Sequence, residues 1–159
     1  MKKIIDFEVR ENKRLNADTI LLVLHADGMP EILPGQFVNV KVEHSPSTLL
    51  RRPISVHDVD EKQGLLYLFV KIVGCGTAAM GELKAGDKVN VILPLGNHFT
   101  IPDSGRSLLI GGGCGVAPML HLAKVMTSNG LSPVVLIGTR SAKDILRREE
   151  YEKYATVYY

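Results

Sequence analysis

Leu109-Ile110-Gly111-Gly112-Gly113-Cys114-Gly115-Val116-Ala117-Pro118 is the stretch that decides the fold of this 159-residue chain. Residues 107–110 read as a buried strand, and four of the next five residues are glycine. Residues 116–127 then show helical spacing, with Met119, Leu122, Ala123 and Met126 on one side. Pro118 suits a first helical turn, where its missing N–H costs little. The loop is not a strict G-x-G-x-x-G, because Pro118 holds the place of the last glycine when counted from Gly113. The strand, glycine turn and helix nevertheless supply the context that gives such a motif meaning, and favour a dinucleotide site over a structural turn.

Further along, Asn129-Gly130 ends the helix, glycine being tolerant of a left-handed cap. Residues 133–137 read as a second strand with few polar residues, as expected for a parallel strand covered on both faces. Residues 144–151 fit a helix and 155–159 start a third strand, completing β-α-β-α-β, the opening half of a Rossmann-like nucleotide-binding sheet. Gly138-Thr139-Arg140 follows the second strand, where such folds meet the ribose or adenine of a nicotinamide cofactor. No acidic residue stands at that strand tip, and Asp144 comes several residues later, so the choice between NAD and NADP is weakly specified. In the usual doubly wound order, further strands cover the other edge of the first strand, and the sequence stops before they appear. An open apolar edge is an aggregation liability. The expectation is a C-terminally truncated product or cover from a partner.

Before about residue 102 the grammar differs. Residues 19–24, 36–42, 65–73 and 88–93 read as short β segments, and a strand also runs through Arg51-Arg52-Pro53-Ile54-Ser55-Val56. Turn signals separate them at Asp27-Gly28, Pro34-Gly35, Gln63-Gly64, Ala85-Gly86-Asp87 and Leu95-Gly96-Asn97. That spacing predicts a small antiparallel barrel or sandwich, with one short helix over 77–83. The expected division is a β domain over 1–101 and a partial α/β domain over 102–159.

Composition narrows the function. Nineteen Lys and Arg against seventeen Asp and Glu leave a formal charge of +2, with the basic residues scattered. A nucleic-acid binder usually concentrates them on one face, so none is expected here. With 45% hydrophobic and 23% charged residues the chain is an ordinary globular one. The N-terminus meets Asp6 before any signal-length apolar core. Residues 107–123, the longest uncharged stretch, are too short and too glycine-rich to span a bilayer. A soluble, cytoplasmic protein with no membrane contact is expected.

Two further segments carry chemistry. An Arg directly before Pro53 sits in extended backbone, since Pro disfavours helix in the preceding residue. Its guanidinium could clamp a diphosphate at two points, with the Ser55 hydroxyl in reach of a ring nitrogen or a sugar. Read alone, the segment is more simply a barrel strand bearing a surface Arg. Val73-Gly74-Cys75-Gly76-Thr77 opens the short helix, where glycines admit a ligand to the backbone and Thr77 either caps the helix or donates to a phosphate. By itself this too is more simply a strand–turn–helix junction.

In this order the four segments resemble the ferredoxin–NADP reductase superfamily, which pairs an FAD-binding barrel with a nicotinamide-binding half. Leu50-Arg51-Arg52-Pro53-Ile54-Ser55, Gly76-Thr77, Pro94-Leu95-Gly96-Asn97 and the glycine loop are most similar to the electron transfer subunits of NAD-dependent dihydroorotate dehydrogenase B. The resemblance implies a six-stranded antiparallel FAD barrel followed by half a Rossmann-like domain. It implies that Arg52, Pro53, Ile54 and Ser55 hold the flavin and its diphosphate, with Ser55 near the reactive flavin edge. Phe69, Val70 and Lys71 would line the isoalloxazine and ribityl region, Lys71 standing where relatives often have Arg. Gly76 and Thr77 would bind the diphosphate. Gly111, Gly112, Gly113 and Gly115 would lie beneath NAD(H), with Thr139 and Arg140 beside it.

The implied activity passes electrons between NADH and a catalytic FMN subunit in pyrimidine biosynthesis, with no catalytic side chain needed for the flavin step. Family members carry a C-terminal [2Fe–2S] cluster on four thiolates, whereas this chain has only Cys75 and Cys114. Both are read as small buried side chains in glycine turns. His25, His44, His57, His98 and His121 show no metal spacing and are read as surface or strand residues. Two alternatives stay open: a hydrogenase- or ferredoxin-linked reductase of the same superfamily, and a non-catalytic fragment that binds no flavin.

Overall fold

The computed structural model describes residues 1–42 and 48–159, so His44 lies outside the described residues. Six strands close an antiparallel barrel: β1 (Lys3–Arg14), β2 (Thr19–His25), β3 (Phe37–Val40), β4 (Arg52–Asp60), β5 (Leu65–Lys71) and β6 (Lys88–Leu95). Their order round the barrel is β1-β2-β5-β4-β3-β6. Period-two alternation fills the interior: Leu66, Leu68 and Val70 from β5 meet Ile20, Leu22 and Leu24 from β2. Each such buried side chain contributes roughly 2 kcal/mol. A strand over the N-terminal residues was not read from the sequence, yet β1 is the longest of the six.

The short helix α1 (Cys75–Gly81) starts two residues before the position expected from the sequence. Seven residues make a marginal helix in isolation. Met80 anchors it in the barrel core, and the Asn12 side-chain amide of β1 donates to the carbonyls of Met80, Gly81 and Leu83 at 3.0, 3.3 and 2.8 Å. Met80 and Gly81 close the helix and Leu83 lies just past it, at the end where carbonyls run short of main-chain donors, although the Met80 carbonyl also accepts from the N–H groups of Glu82 and Leu83. Asn12→Leu is expected to lower stability by about 2 kcal/mol, because it removes the side-chain donor shared by these part-buried carbonyls. A urea midpoint unchanged from the parent would contradict this.

The second unit is a parallel sheet in the order β7-β8-β9, built from Leu108–Gly112, Val134–Gly138 and Thr156–Tyr158. Helices α2 (Met119–Ser128) and α3 (Arg148–Glu152) complete the expected β-α-β-α-β. Gly130 caps α2 at φ +80°. Residues 144–151 are not one helix: a 3₁₀ turn over Ala142–Asp144 precedes the shorter α3.

Cover lies on one face of the sheet only. Leu109, Val135, Ile137 and Val157 pack with α2 and with Tyr151 of α3. The alternate positions Leu108, Ile110, Leu136 and Tyr158 are exposed, Ile110 by 64%. The expectation of a strand covered on both faces therefore fails for β8 among the described residues.

The α2 helix also departs from the one-sided stripe. Leu120, His121, Leu122 and Ala123 are all buried in sequence, and Met119 only partly. The reason is a sandwich: Leu120 and Ala123 face the sheet, while His121 and Lys124 face the barrel. His121 Nε2 donates to the Ile32 carbonyl at 2.9 Å, and Lys124 Nζ reaches Asp58 Oδ1 at 2.9 Å and the Val59 carbonyl at 2.8 Å. Burial pushes the Asp58 carboxyl up, but the adjacent His121 ring and the hydrogen bonds and charge of Lys124 outweigh it and hold the group below the usual carboxylate range.

Candidate functional site: a cleft between barrel and sheet

The C-terminal ends of β7 and β8 open into a cleft of about 600 Å³, closed on its far side by the barrel. Crevices outside the carboxyl ends of parallel strands are where such sheets take ligands. From the barrel come Thr19, Phe69 and Lys71, which are neighbours because β2 and β5 pair Thr19 with Lys71. From the sheet come Gly112 and Gly113 on one side and Thr139 and Arg140 on the other. Val116 and Ile137 give the wall an apolar floor. Of the residues proposed from sequence, Phe69, Lys71, Gly112, Gly113, Thr139 and Arg140 thus meet in one place. Val70 points the other way, into the barrel core, and can offer this cleft only its main chain.

The glycine loop is shaped for close approach. Gly112 ends β7, Gly113–Val116 forms a 3₁₀ turn and Gly113 has φ +53°. A Cβ built on Gly113 or Gly115 would meet nothing within 4 Å, so the main chain lies bare there. Gly111 is buried, and its role is packing: a Cβ there would stand 2.8 Å from Val116 Cα. A flat ring or a dinucleotide backbone fits such a surface.

A second group sits apart from the cleft lining. Arg52 lies across Gly76, where a Cβ would come 2.5 Å from Arg52 Nε and 3.2 Å from Cγ and Cδ. The missing side chain is therefore the space the arginine stem occupies. Arg51 instead serves the barrel, donating to the carbonyls of Asn39 and Asn90. Pro53 and Ser55 are exposed on the outer side of β4, while Ile54 packs against the core. The Thr77 hydroxyl accepts from the N–H groups of Val73 and Gly74 at 2.9 and 3.2 Å and donates to the Gly74 carbonyl at 3.1 Å. Of its two sequence readings, capping is the one this geometry uses.

Several lining residues had not been singled out. Asp18 approaches Lys71 Nζ at 3.4 Å, and its carboxyl is held below the usual range by the Thr19 hydroxyl, with Lys71 and Arg140 adding to this. Asp144, the acid noted beyond the strand tip, accepts from Ser141 Oγ at 2.7 Å and from the Asn16 side chain at 3.3 Å. The first bond is local to the 3₁₀ turn, and the second ties Asp144 to the β1–β2 connection. Neither cysteine is buried, contrary to expectation: Cys75 and Cys114 are both exposed, and Cys114 lines the cleft. Among the histidines, His57 lies fully buried on β4 and His121 is buried on a helix, so His121 is neither a surface nor a strand residue. Among the described residues no group of three or more His, Cys, Asp or Glu is placed to hold a metal. No described helix is long and apolar enough to cross a membrane.

Comparison with known proteins agrees with this geometry. The oxidoreductase FAD-binding domain matches residues 6–100, and the oxidoreductase NAD-binding domain matches residues 109–159. Both descriptions are of domains from flavin- and pyridine-nucleotide-linked oxidoreductases, one over the barrel and one over the sheet with its glycine loop. The chain belongs to the oxidoreductase FAD-binding domain family.

Among curated relatives, the dihydroorotate dehydrogenase B (NAD⁺) electron transfer subunit of Fusobacterium nucleatum is 32% identical over 98% of this chain and 62% of its own length. That of Bacillus caldolyticus is 41% identical over 76% of this chain and 48% of its own. This chain therefore spans about half to three-fifths of the relatives it matches. An NADH-dependent reduced ferredoxin–NADP oxidoreductase superposes with a TM-score of 0.84 at 28% identity, covering 95% of this chain and 55% of that one. The ferredoxin reductase of carbazole 1,9a-dioxygenase, at TM-score 0.85 and 24% identity over 98% of this chain and 49% of that one, shares the fold.

Proposed function

We propose that this chain is the FAD-carrying part of a dihydroorotate dehydrogenase B electron transfer subunit, a cytoplasmic protein that passes electrons between NADH and a separate catalytic subunit. The observation that carries the reading is the cleft in which Phe69 and Lys71 of the barrel face the bare glycine loop of the sheet. A flavin against the barrel and a nicotinamide over the loop would meet there. Curated relatives at 32–41% identity support the particular enzyme. Residues 1–101 would form the flavin part and 102–159 the opening of the nucleotide part.

Bound FAD supplies hydride acceptance from NADH and electron release in single steps. The chain's own residues hold and orient. Arg52 offers a guanidinium fork to the diphosphate beside the main chain of Gly76 and Thr77. Pro53 and Ser55 stand on the outer face of β4, Ile54 and Val70 would contribute main chain, and the Ser55 hydroxyl would serve the reactive edge of the flavin. Phe69 and Val116 exclude water, Gly112, Gly113 and Gly115 let the nicotinamide approach closely, and Gly111 packs the loop down onto Val116 beneath them. Thr139 and Arg140 take the ribose side.

The test is an anaerobic absorption spectrum of the purified chain before and after NADH. The expected result is a flavin band that bleaches. A band that NADH leaves unchanged would confine function to the barrel, and no band after reconstitution with FAD would overturn the reading. Adding dihydroorotate should bleach the flavin only when the catalytic subunit is present. Electron transfer to a ferredoxin instead would favour the second reading, to which the 28% identical oxidoreductase points.

A further inference from the structure

The glycine loop is pinned at its exit by two side chains that neither motif nor cleft includes. Tyr151 of α3, fully buried, donates its hydroxyl to the Val116 carbonyl at 2.8 Å. His57 of β4 donates Nδ1–H to the next carbonyl, that of Ala117, at 2.7 Å. The two rings also touch, with centroids 6.1 Å apart in an edge arrangement. On its other side His57 meets Phe69, a wall of the cleft, at 5.5 Å between centroids. One imidazole therefore connects the barrel strand that lines the cleft with the junction between glycine loop and α2.

We infer that His57 is a positioning residue, which fixes the height of the glycine loop above the Phe69 wall and so the spacing of the two reactants in the cleft. The chemistry of the site argues for position rather than stability. His57 is 0% exposed and its Nε2 has no partner. An unpaired buried nitrogen is costly, and a leucine of similar volume would avoid that cost altogether. What leucine lacks is a directed N–H. The Val116 and Ala117 carbonyls lie where the 3₁₀ turn passes into α2, before the helical ladder begins. Two donors in contact with each other, one from the barrel and one from α3, hold consecutive carbonyls of that turn. Lys124 and His121 dock the same helix onto Asp58 and Ile32 further along, but neither touches the loop exit. The functional part of this inference rests on the flavin and nicotinamide reading above; the pinning of the loop does not.

The test compares His57→Leu with His57→Asn, whose side-chain amide can place an N–H near the position of Nδ1. Amide hydrogen exchange of the full chain, with no cofactor added, is read first. In His57→Leu, residues 111–117 should exchange at least tenfold faster, with β2 and β5 unchanged and His57→Asn recovering most of the protection. Exchange in 111–117 equal to the parent, or raised equally throughout the barrel, overturns the inference whether or not flavin is bound. Stopped-flow reduction by NADH is read second. His57→Leu should lower the limiting rate about tenfold with little change in NADH affinity, and enlarge the isotope effect with deuterated NADH. A parent chain that takes no flavin would refute the proposed function and leave the exchange result to decide the role of His57.

Discussion

Gly76→Val is expected to raise the dissociation constant for FAD at least a hundredfold while the barrel stays folded. The cause is local. The new Cβ would lie 2.5 Å from Nε of the Arg52 guanidinium and 3.2 Å from Cγ and Cδ of its stem, so head group and stem are both displaced. The arginine must leave its place across the helix, and the guanidinium goes with it. Two hydrogen bonds to a charged diphosphate oxygen pair are worth roughly 1.5–3 kcal/mol each, so losing their geometry accounts for a hundredfold or more. Gly76 is not among the glycines at positive φ, so the backbone itself accepts valine. Gly74→Ala supplies the control, since its Cβ meets nothing within 4 Å and affinity should hold. Arg52→Ala should match Gly76→Val, and the double variant should be no weaker than either, because both remove one interaction. Fluorescence titration of the flavin-free chain with FAD measures all four. Wild-type affinity in Gly76→Val would remove Arg52 from the proposed diphosphate site.

What the sequence made legible follows from the range over which each signal acts. The strand, glycine turn and helix around Gly111 were readable because the motif is contiguous and its parts constrain one another. The turn at Gln63-Gly64 was readable for the same reason: Gly64 has φ +62°, and a Cβ there would meet the Ala26 carbonyl at 2.6 Å. The alternation of Ile5, Phe7 and Val9 with Asp6, Glu8 and Arg10 is itself a strand signal, but it spans only half of β1, and beyond the register shift between Val9 and Glu11 the run is polar and charged. The stripe assigned to α2 omitted Leu120 and His121, since a helix packed between two units is buried on more than one side. The cleft itself depends on separations no local pattern shows, such as Asn16 meeting Asp144. His57 was hidden for a related reason. On a strand with polar neighbours Ser55 and Asp58 it reads as a surface residue, whereas Ala117 at the loop exit and Tyr151 of α3 pack over it.

That burial makes an acid-stability experiment informative. Removal from water pushes the His57 imidazole down from 6.5 to about 4; its bond to Ala117 and the negative charges of Asp58 and Glu150 act against this, and Arg147 with it. At neutral pH the ring is uncharged in the folded and unfolded states alike, so it favours neither. As pH falls below 6.5 the unfolded chain takes up a proton that the folded chain refuses, and stability drains away until the folded ring also protonates near pH 4. The shift corresponds to a loss of roughly 3 kcal/mol across that window. Asp58 acts lower: its carboxyl is held below 3.8, so its contribution disappears only as pH falls through that lowered value. The two groups therefore separate on the pH axis. Urea midpoints measured from pH 7.5 to 4 should fall steeply for the parent chain, and His57→Asn, which has nothing to titrate there, should lose most of that slope. Parallel curves for the two proteins would mean that His57 takes its proton in the folded state without resistance. The ring would then be reached by water, and the tight junction between barrel strand, glycine loop and α3 would not be the resting state of the chain.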